Sequence, residues 1–184
     1  FIRLDGFGGL SSRNNYNWSR NMTKRLEGKV TIITGATSGI GEATARRFIE
    51  EGATVILAGR TEDKGEALAK ELGSNALFQR ADIMVEADIA ALVDAAMEKF
   101  GRLDCMFNNA GAGDRTQLDT VTEEEFTNVM RLLTGSVVFG IKHAARVMKP
   151  QGSGCILNNS SIAGHRLGQG GYLYSGAKAA VSHL

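Results

Sequence analysis

Cysteine, proline and tryptophan are nearly missing from this 184-residue chain, which holds two, one and one of them. Two cysteines cannot build a disulfide framework. Cys105 and Cys155 each sit in a short apolar run (Cys105-Met106-Phe107 and Cys155-Ile156-Leu157), so both are expected to be core thiols in a reducing compartment. The lone proline, Pro150, falls where a long helix is expected to end. Charge of either sign is not in excess: 21 Lys and Arg face 20 Asp and Glu, and the net charge of +1 comes without long single-sign runs. That balance argues against nucleic acid or an anionic membrane as the main partner. No stretch reaches the roughly 18 consecutive apolar residues that span a bilayer, so a soluble protein is expected. His143, His165 and His183 lack metal-ligand spacing with one another or with a Cys or acid, and no metal site is expected. His165 reads as a solvated loop residue, with the rim of a substrate pocket as the alternative.

What remains is ample for one packed domain, since 43% of the residues are apolar. Residues 1–24 stand apart from it. They are rich in Ser, Asn, Gly and Arg, hold a single acid, Asp5, and show no apolar period. Two readings stay open for them: the remnant of an organelle transit peptide, or a disordered tail or untranslated stretch ahead of a start at Met22. The first implies a mitochondrion or plastid, the second the cytoplasm. The chain opens on Phe1 and stops at Leu184 inside an apparent helix, so it is expected to be a piece of a longer protein.

From residue 25 onward, short β-branched runs alternate with helical periods. Val30–Thr34, Thr54–Ala58, Ala76–Gln79, Cys105–Asn108 and Cys155–Asn158 read as buried parallel strands. Helices are predicted over about 39–51, 61–72, 86–100 and 122–148, with a last one opening near Tyr172. Phe126 and the methionines fall at spacings that suit packed helix faces. The alternation implies right-handed βαβ crossovers and an α/β, doubly wound parallel sheet, a Rossmann fold.

Thr34-Gly35-Ala36-Thr37-Ser38-Gly39-Ile40-Gly41 follows the first strand and opens a helix. Glycines there permit a tight turn and close backbone approach, and N–H groups at a helix start can hold a pyrophosphate. A glycine-rich turn alone is weak evidence; the strand before it and the helix after it strengthen the case for nucleotide binding. The spacing is T-G-x-x-x-G-I-G, which resembles the nucleotide motif of the short-chain dehydrogenase/reductase superfamily. Asn108-Asn109-Ala110-Gly111 resembles the stretch that ends the family's fourth strand beside the cofactor, and Asp82 its adenine-contacting acid. The resemblance runs from about Leu26 to Leu184 and implies an oxidoreductase that passes a hydride between a nicotinamide cofactor and a small carbonyl or alcohol. The expected cofactor residues are Gly35, Thr37, Ser38, Gly39, Ile40, Gly41, Arg60, Asp82, Asn108, Ala110 and Gly111, with Tyr174 and Lys178.

The end of the second strand bears on cofactor choice. An NAD enzyme usually places an acid there for the ribose 2′-OH, whereas this chain reads Ala58-Gly59-Arg60. A guanidinium can grip a 2′-phosphate through paired charge-assisted bonds, so NADP(H) is preferred and NAD(H) stays possible if Arg60 is only a solvated loop residue.

Tyr174 and Lys178, four apart, share a helix face. A phenol with an ordinary pKa near 10 needs a neighbouring cation to work near neutrality, and the Y-x-x-x-K pair resembles the family's acid–base pair. Ser161 stands 13 residues before Tyr174, the spacing of the family's oxyanion-binding serine, while Ser160 reads as the residue that fixes the loop. One departure stands out: Leu132, in Met130-Arg131-Leu132-Leu133-Thr134-Gly135, occupies the position of the family's relay asparagine unless one residue has been lost. The following Gly140–Met148 run resembles plant members acting on terpenoid or phenolic alcohols, without assigning a substrate. The resemblance also implies a homo-oligomer for a full-length form, and, for a piece ending on an exposed fifth strand, aggregation and weak activity.

Overall fold

The computed structural model describes residues 24–184, and the expectations for residues 1–23 lie outside it. Five parallel strands form one sheet: β1 (Val30–Thr34), β2 (Thr54–Gly59), β3 (Ala76–Arg80), β4 (Cys105–Asn108) and β5 (Cys155–Asn158), in the order β3-β2-β1-β4-β5. The helices are α1 (Gly39–Glu50), α2 (Glu62–Leu72), α3 (Glu86–Phe100), α4 (Glu123–Met130), α5 (Ser136–Gln151) and α6 (Tyr172–Ser182).

Both faces of the sheet are covered, which is why its strands are apolar in consecutive positions instead of alternate ones. Val30 and Ile32 of β1 and Ile56 and Ala58 of β2 pack with Ile89, Leu92, Val93 and Ala96 of α3 and Ala144 and Met148 of α5. The intervening Ile33, Val55 and Leu57 pack on the opposite face with Ala45 of α1 and Leu68 of α2. Each of these side chains is almost wholly buried. The chain therefore winds first to one side of β1 and then to the other, and the strand order reverses between β1 and β4. In sheets of this kind a crevice opens at the carboxyl ends of the strands at that reversal.

Four expectations need correction. The helix predicted over 122–148 is two helices joined by a π-helical turn, Arg131–Gly135. It starts as its sequence dictates, with a capping box in which Thr122 Oγ accepts from Glu125 N–H and the Glu125 carboxylate accepts from Thr122 N–H. Pro150 lies inside the last turn of α5, where it removes the one i→i−4 bond that the Arg146 carbonyl would accept, and the helix ends on Gly152 at φ +71°. Phe126 is 49% exposed, because α4 buries none of its residues. Cys155 is exposed and Cys105 half-buried: β5 is the edge strand of the described sheet, and the two cysteines pair in register on its less covered face. Burial, followed by the adjacent Cys155, pushes the Cys105 thiol up to about 12.

Candidate active site

A cleft of about 610 Å³ lies over the ends of β1, β2 and β4. The glycine turn lines one side through Gly35, Thr37, Ser38, Gly39 and Ile40. Gly35 (φ +66°) and Gly39 (φ +55°) occupy the left-handed region that favours glycine. A Cβ on Gly35 would come within 2.9 Å of Ala110 Cα, and one on Gly41 would overlap the Gly35 carbonyl oxygen. Gly41 is thus a packing glycine beneath the turn, and it does not line the cleft. Nothing lies within 4 Å of the Cβ position of Gly39, so the backbone there faces open space. That opening, beside the first N–H groups of α1, fits a pyrophosphate.

The wall opposite comes from β4 and β5. Thr34 Oγ accepts from the N–H groups of Asn109 (3.0 Å) and Ala110 (3.1 Å) and donates to the Phe107 carbonyl (3.3 Å). Asn109 Nδ2 donates to the Thr34 carbonyl (3.0 Å), and Asn159 Nδ2 donates to Asn109 Oδ1 (3.0 Å). This string fastens the ends of β1, β4 and β5 together. Asn109, Ala110 and Gly111 line the cleft, whereas Asn108 is buried behind it, donating from Nδ2 to Asn158 Oδ1 (2.9 Å). A Cβ on Gly140 of α5 would overlap Asn108 Oδ1, so Asn108 serves the strand–helix contact instead of the cofactor face. The doubled asparagine was visible in the sequence; which of the two faces the cleft follows from the strand's alternation and its partners.

Arg60 and Asp82 line the cleft's outer end, together with Thr61 and Lys64, which sequence reasoning did not single out. Asp82 Oδ1 accepts from Met84 N–H (3.0 Å), ordering the turn after β3.

Tyr174 and Lys178 line the inner end. The Lys178 ammonium lies 5.7 Å from the centroid of the Tyr174 ring and donates to the Asn159 carbonyl at 2.5 Å. Lys178 is buried, and burial pushes its pKa below the usual lysine range. Ser160 also lines the cleft, but its hydroxyl donates to the Lys178 carbonyl (2.8 Å) and meets Ser182 Oγ (2.6 Å). Ser161 lies beside the cleft wall, outside its lining residues; its Oγ accepts from Ala163 N–H (3.2 Å), which leaves its own proton free to be donated. His165 lines a separate hollow with Arg166 and Tyr172, with Nε2 3.1 Å from Ser182 Oγ. Leu132 does reach the cleft. The π turn carries it there, while Leu133 is buried beneath Gly111 and Thr134 Oγ donates to the Ala177 carbonyl of α6 (3.3 Å).

Among the described residues no group of three or more His, Cys, Asp or Glu is placed to hold a metal, and no helix is long and apolar enough to cross a membrane.

Known proteins share both the sequence pattern and the fold. The family model described as short chain dehydrogenase matches residues 29–184. The chain belongs to the short-chain dehydrogenase family. Among family members it is 46% identical over 165 residues to tropinone reductase-like 1 of Erythroxylum coca, an alignment covering 88% of this chain and 61% of that protein. It is 39% identical over 161 residues to momilactone A synthase of Oryza sativa subsp. japonica (86% and 59%), and 37% identical over 166 residues to secoisolariciresinol dehydrogenase of Forsythia intermedia (89% and 60%). A crystal structure of a short chain dehydrogenase from Mycobacterium smegmatis superposes with a TM-score of 0.83 at 33% identity, covering 88% of this chain and 70% of that one. The chain spans about 60% of the length of these plant relatives. Membership of this oxidoreductase family implies a nicotinamide cofactor.

Proposed function

We propose that this chain carries the nucleotide-binding and proton-transfer residues of an enzyme that moves a hydride between NADP(H) and a carbonyl or secondary alcohol. The observation that carries this reading is that Tyr174 and Lys178 share one cleft with the glycine turn. When bound, the nicotinamide would supply or take the hydride at the substrate carbon. In the reductive direction the Tyr174 hydroxyl donates its proton to the carbonyl oxygen, and in the oxidative direction the phenolate takes it back. The Lys178 cation favours the ionised phenol, and by family resemblance it also bonds the nicotinamide ribose. Ser161 gives a hydrogen bond from its free hydroxyl to the substrate oxygen as charge develops there. Gly35, Ser38, Gly39 and Ile40 cradle the pyrophosphate, Asp82 meets the adenine, and Ala110 and Gly111 flank the ribose. Arg60 supports NADP(H), since β2 ends on Gly59 with no acid to receive a ribose 2′-OH.

A second reading, a domain that holds NADP(H) without turnover, rests on Leu132. A leucine offers no polar group to seat the water through which Lys178 would regain a proton. The two readings separate in one experiment: titrate the chain with NADPH, then follow transfer of deuterium from C4-labelled NADPH to a panel of cyclic ketones, using the wild type and Leu132→Asn. Label in the alcohol product supports the enzyme, and Leu132→Asn is expected to raise kcat roughly tenfold. Saturable NADPH binding with no label transferred by either protein supports the binding domain.

A further inference from the structure

Away from the cleft, Cys105 and Cys155 are a reactive pair with no part in hydride transfer. Cys105 opens β4 and Cys155 opens β5, and the two are direct partners across these neighbouring parallel strands. In-register residues of such strands point to the same face, with Cα atoms about 4.8 Å apart, inside the roughly 4.4–6.8 Å that a disulfide spans. Both ends of the strand pair are tied, which fixes the register. At its start Cys155 N–H donates to the Asp104 carbonyl (2.9 Å), while the Asp104 carboxylate accepts from Val30 N–H of β1 (3.0 Å). At its end Asn159 N–H donates to the Asn108 carbonyl (2.9 Å) and Asn108 Nδ2 to Asn158 Oδ1 (2.9 Å). A slip of β5 by one residue would break its bonds to β4 at both ends, so the two thiols stay side by side.

The pair is asymmetric. Ile156 packs toward α3 and α5, so Cys155, one residue earlier, faces the other way and is exposed among the described residues, whereas Cys105 is half-buried. Burial, then the charge of the neighbouring Cys155, keeps the Cys105 thiol protonated. Attack on an oxidant needs both thiolate character and access, which makes Cys155 the first to react.

We propose that Cys105 and Cys155 form a reversible, peroxide-driven disulfide between β4 and β5, a modification site separate from the cleft. The Cys155 thiolate attacks one oxygen of hydrogen peroxide: an S–O bond forms, the O–O bond breaks, and the departing hydroxide takes up a proton as water. Cys105 then gives up its proton, and its sulfur displaces hydroxide from the Cys155 sulfenic acid. The S–S bond forms, the S–O bond breaks, and a second water leaves. Two thiols together lose two electrons, and one peroxide is reduced to two waters. The neutral sulfenic acid no longer opposes ionisation of Cys105, which removes one cause of its raised pKa. An exposed disulfide is readily reduced, so a dithiol returns the pair to its resting state.

The test treats the folded 184-residue chain with hydrogen peroxide, then unfolds it in acid, alkylates free thiols with N-ethylmaleimide and weighs the peptides. Both thiols are expected to disappear together in a monomeric chain lighter by two hydrogens, with the circular dichroism spectrum kept and dithiothreitol restoring both. Cys105→Ser should stop at a Cys155 sulfenic acid that dimedone traps, and Cys155→Ser should keep its Cys105 thiol through the same exposure. Four results would each overturn the assignment in the wild type: Cys155 oxidised while Cys105 is still alkylated, a bridge between two chains, a bridge that appears only as the circular dichroism signal is lost, or no reaction of either thiol.

Discussion

The two ends of the cleft are built on different principles. The nucleotide end, from the glycine turn to α2, works through the backbone: positive φ at Gly35 and Gly39, and missing side chains at Gly41, Gly59 and Gly65. The reaction end works through side chains: Lys178 Nζ donates to the Asn159 carbonyl, Asn159 Nδ2 to Asn109 Oδ1, and Asn109 Nδ2 to the Thr34 carbonyl. A backbone device tolerates any neighbour that stays out of its way, so it survives as a spacing of glycines. A side-chain device depends on each partner's identity.

The strongest way to break this comparison is Tyr174→Phe. It should lower kcat by about 10²–10⁴-fold while leaving NADPH affinity within about twofold, as measured by steady-state kinetics beside nucleotide titration. Equal damage to both quantities would mean that the two ends are not separable. Gly41→Ala should do the reverse at the nucleotide end. Its methyl meets the Gly35 carbonyl, so the turn must shift, at a cost of about 2–3 kcal/mol in stability with NADPH binding lost; urea denaturation and titration would show both.

A third variant tests the scaffold common to both ends. Asp104 accepts from Val30 N–H (3.0 Å) and from Arg102 at 2.7 Å through each of its oxygens, so it holds the start of β1 to β4. Burial pulls its carboxyl up, but bonds from Arg102 and the Val30 N–H, and the charges of Arg102 and Lys29, outweigh it and hold the group below the usual carboxylate range. A depressed acid stabilises the fold above its unfolded pKa, near 4, and loses that contribution as pH falls through the folded value. Asp104→Asn should thus cost about 2 kcal/mol at pH 7, with the gap to wild type closing below about pH 4. A gap independent of pH would assign the effect to shape instead of charge.

The smallest effect is expected at Asp114. Its carboxylate is also held below the usual range: burial raises it, but the Thr116 N–H and hydroxyl, then the Tyr174 and Arg115 N–H groups, lower it further. It lies against Gly171, the N-cap of α6, which has no side chain of its own. Asp114→Ala should cost about 1 kcal/mol or less by thermal melting and raise the substrate KM a few-fold with kcat nearly unchanged.

How much of this was legible beforehand follows the same division. The strands, their doubly covered faces and the turn through Gly41 could be read from β-branched runs and glycine spacing, because those patterns are local. The π turn at Arg131–Gly135 could not. Its only trace was a register one residue out of step with the family's motif at Leu132, and helix periodicity is blind to a single wide turn. The place of Asp114 against the start of α6, the buried position of Asn108 and the cleft-facing Thr61 and Lys64 also escaped, since each depends on which side a residue faces or on a partner distant in sequence.

The string from Thr34 through Asn109 and Asn159 to Lys178 crosses three strands and ends at both functional poles. In mechanical terms it is a tie between those poles. Replacing Asn109 would loosen Asn159, whose carbonyl holds the lysine, whereas Leu132 and the loop around Asp114 hang free of the string.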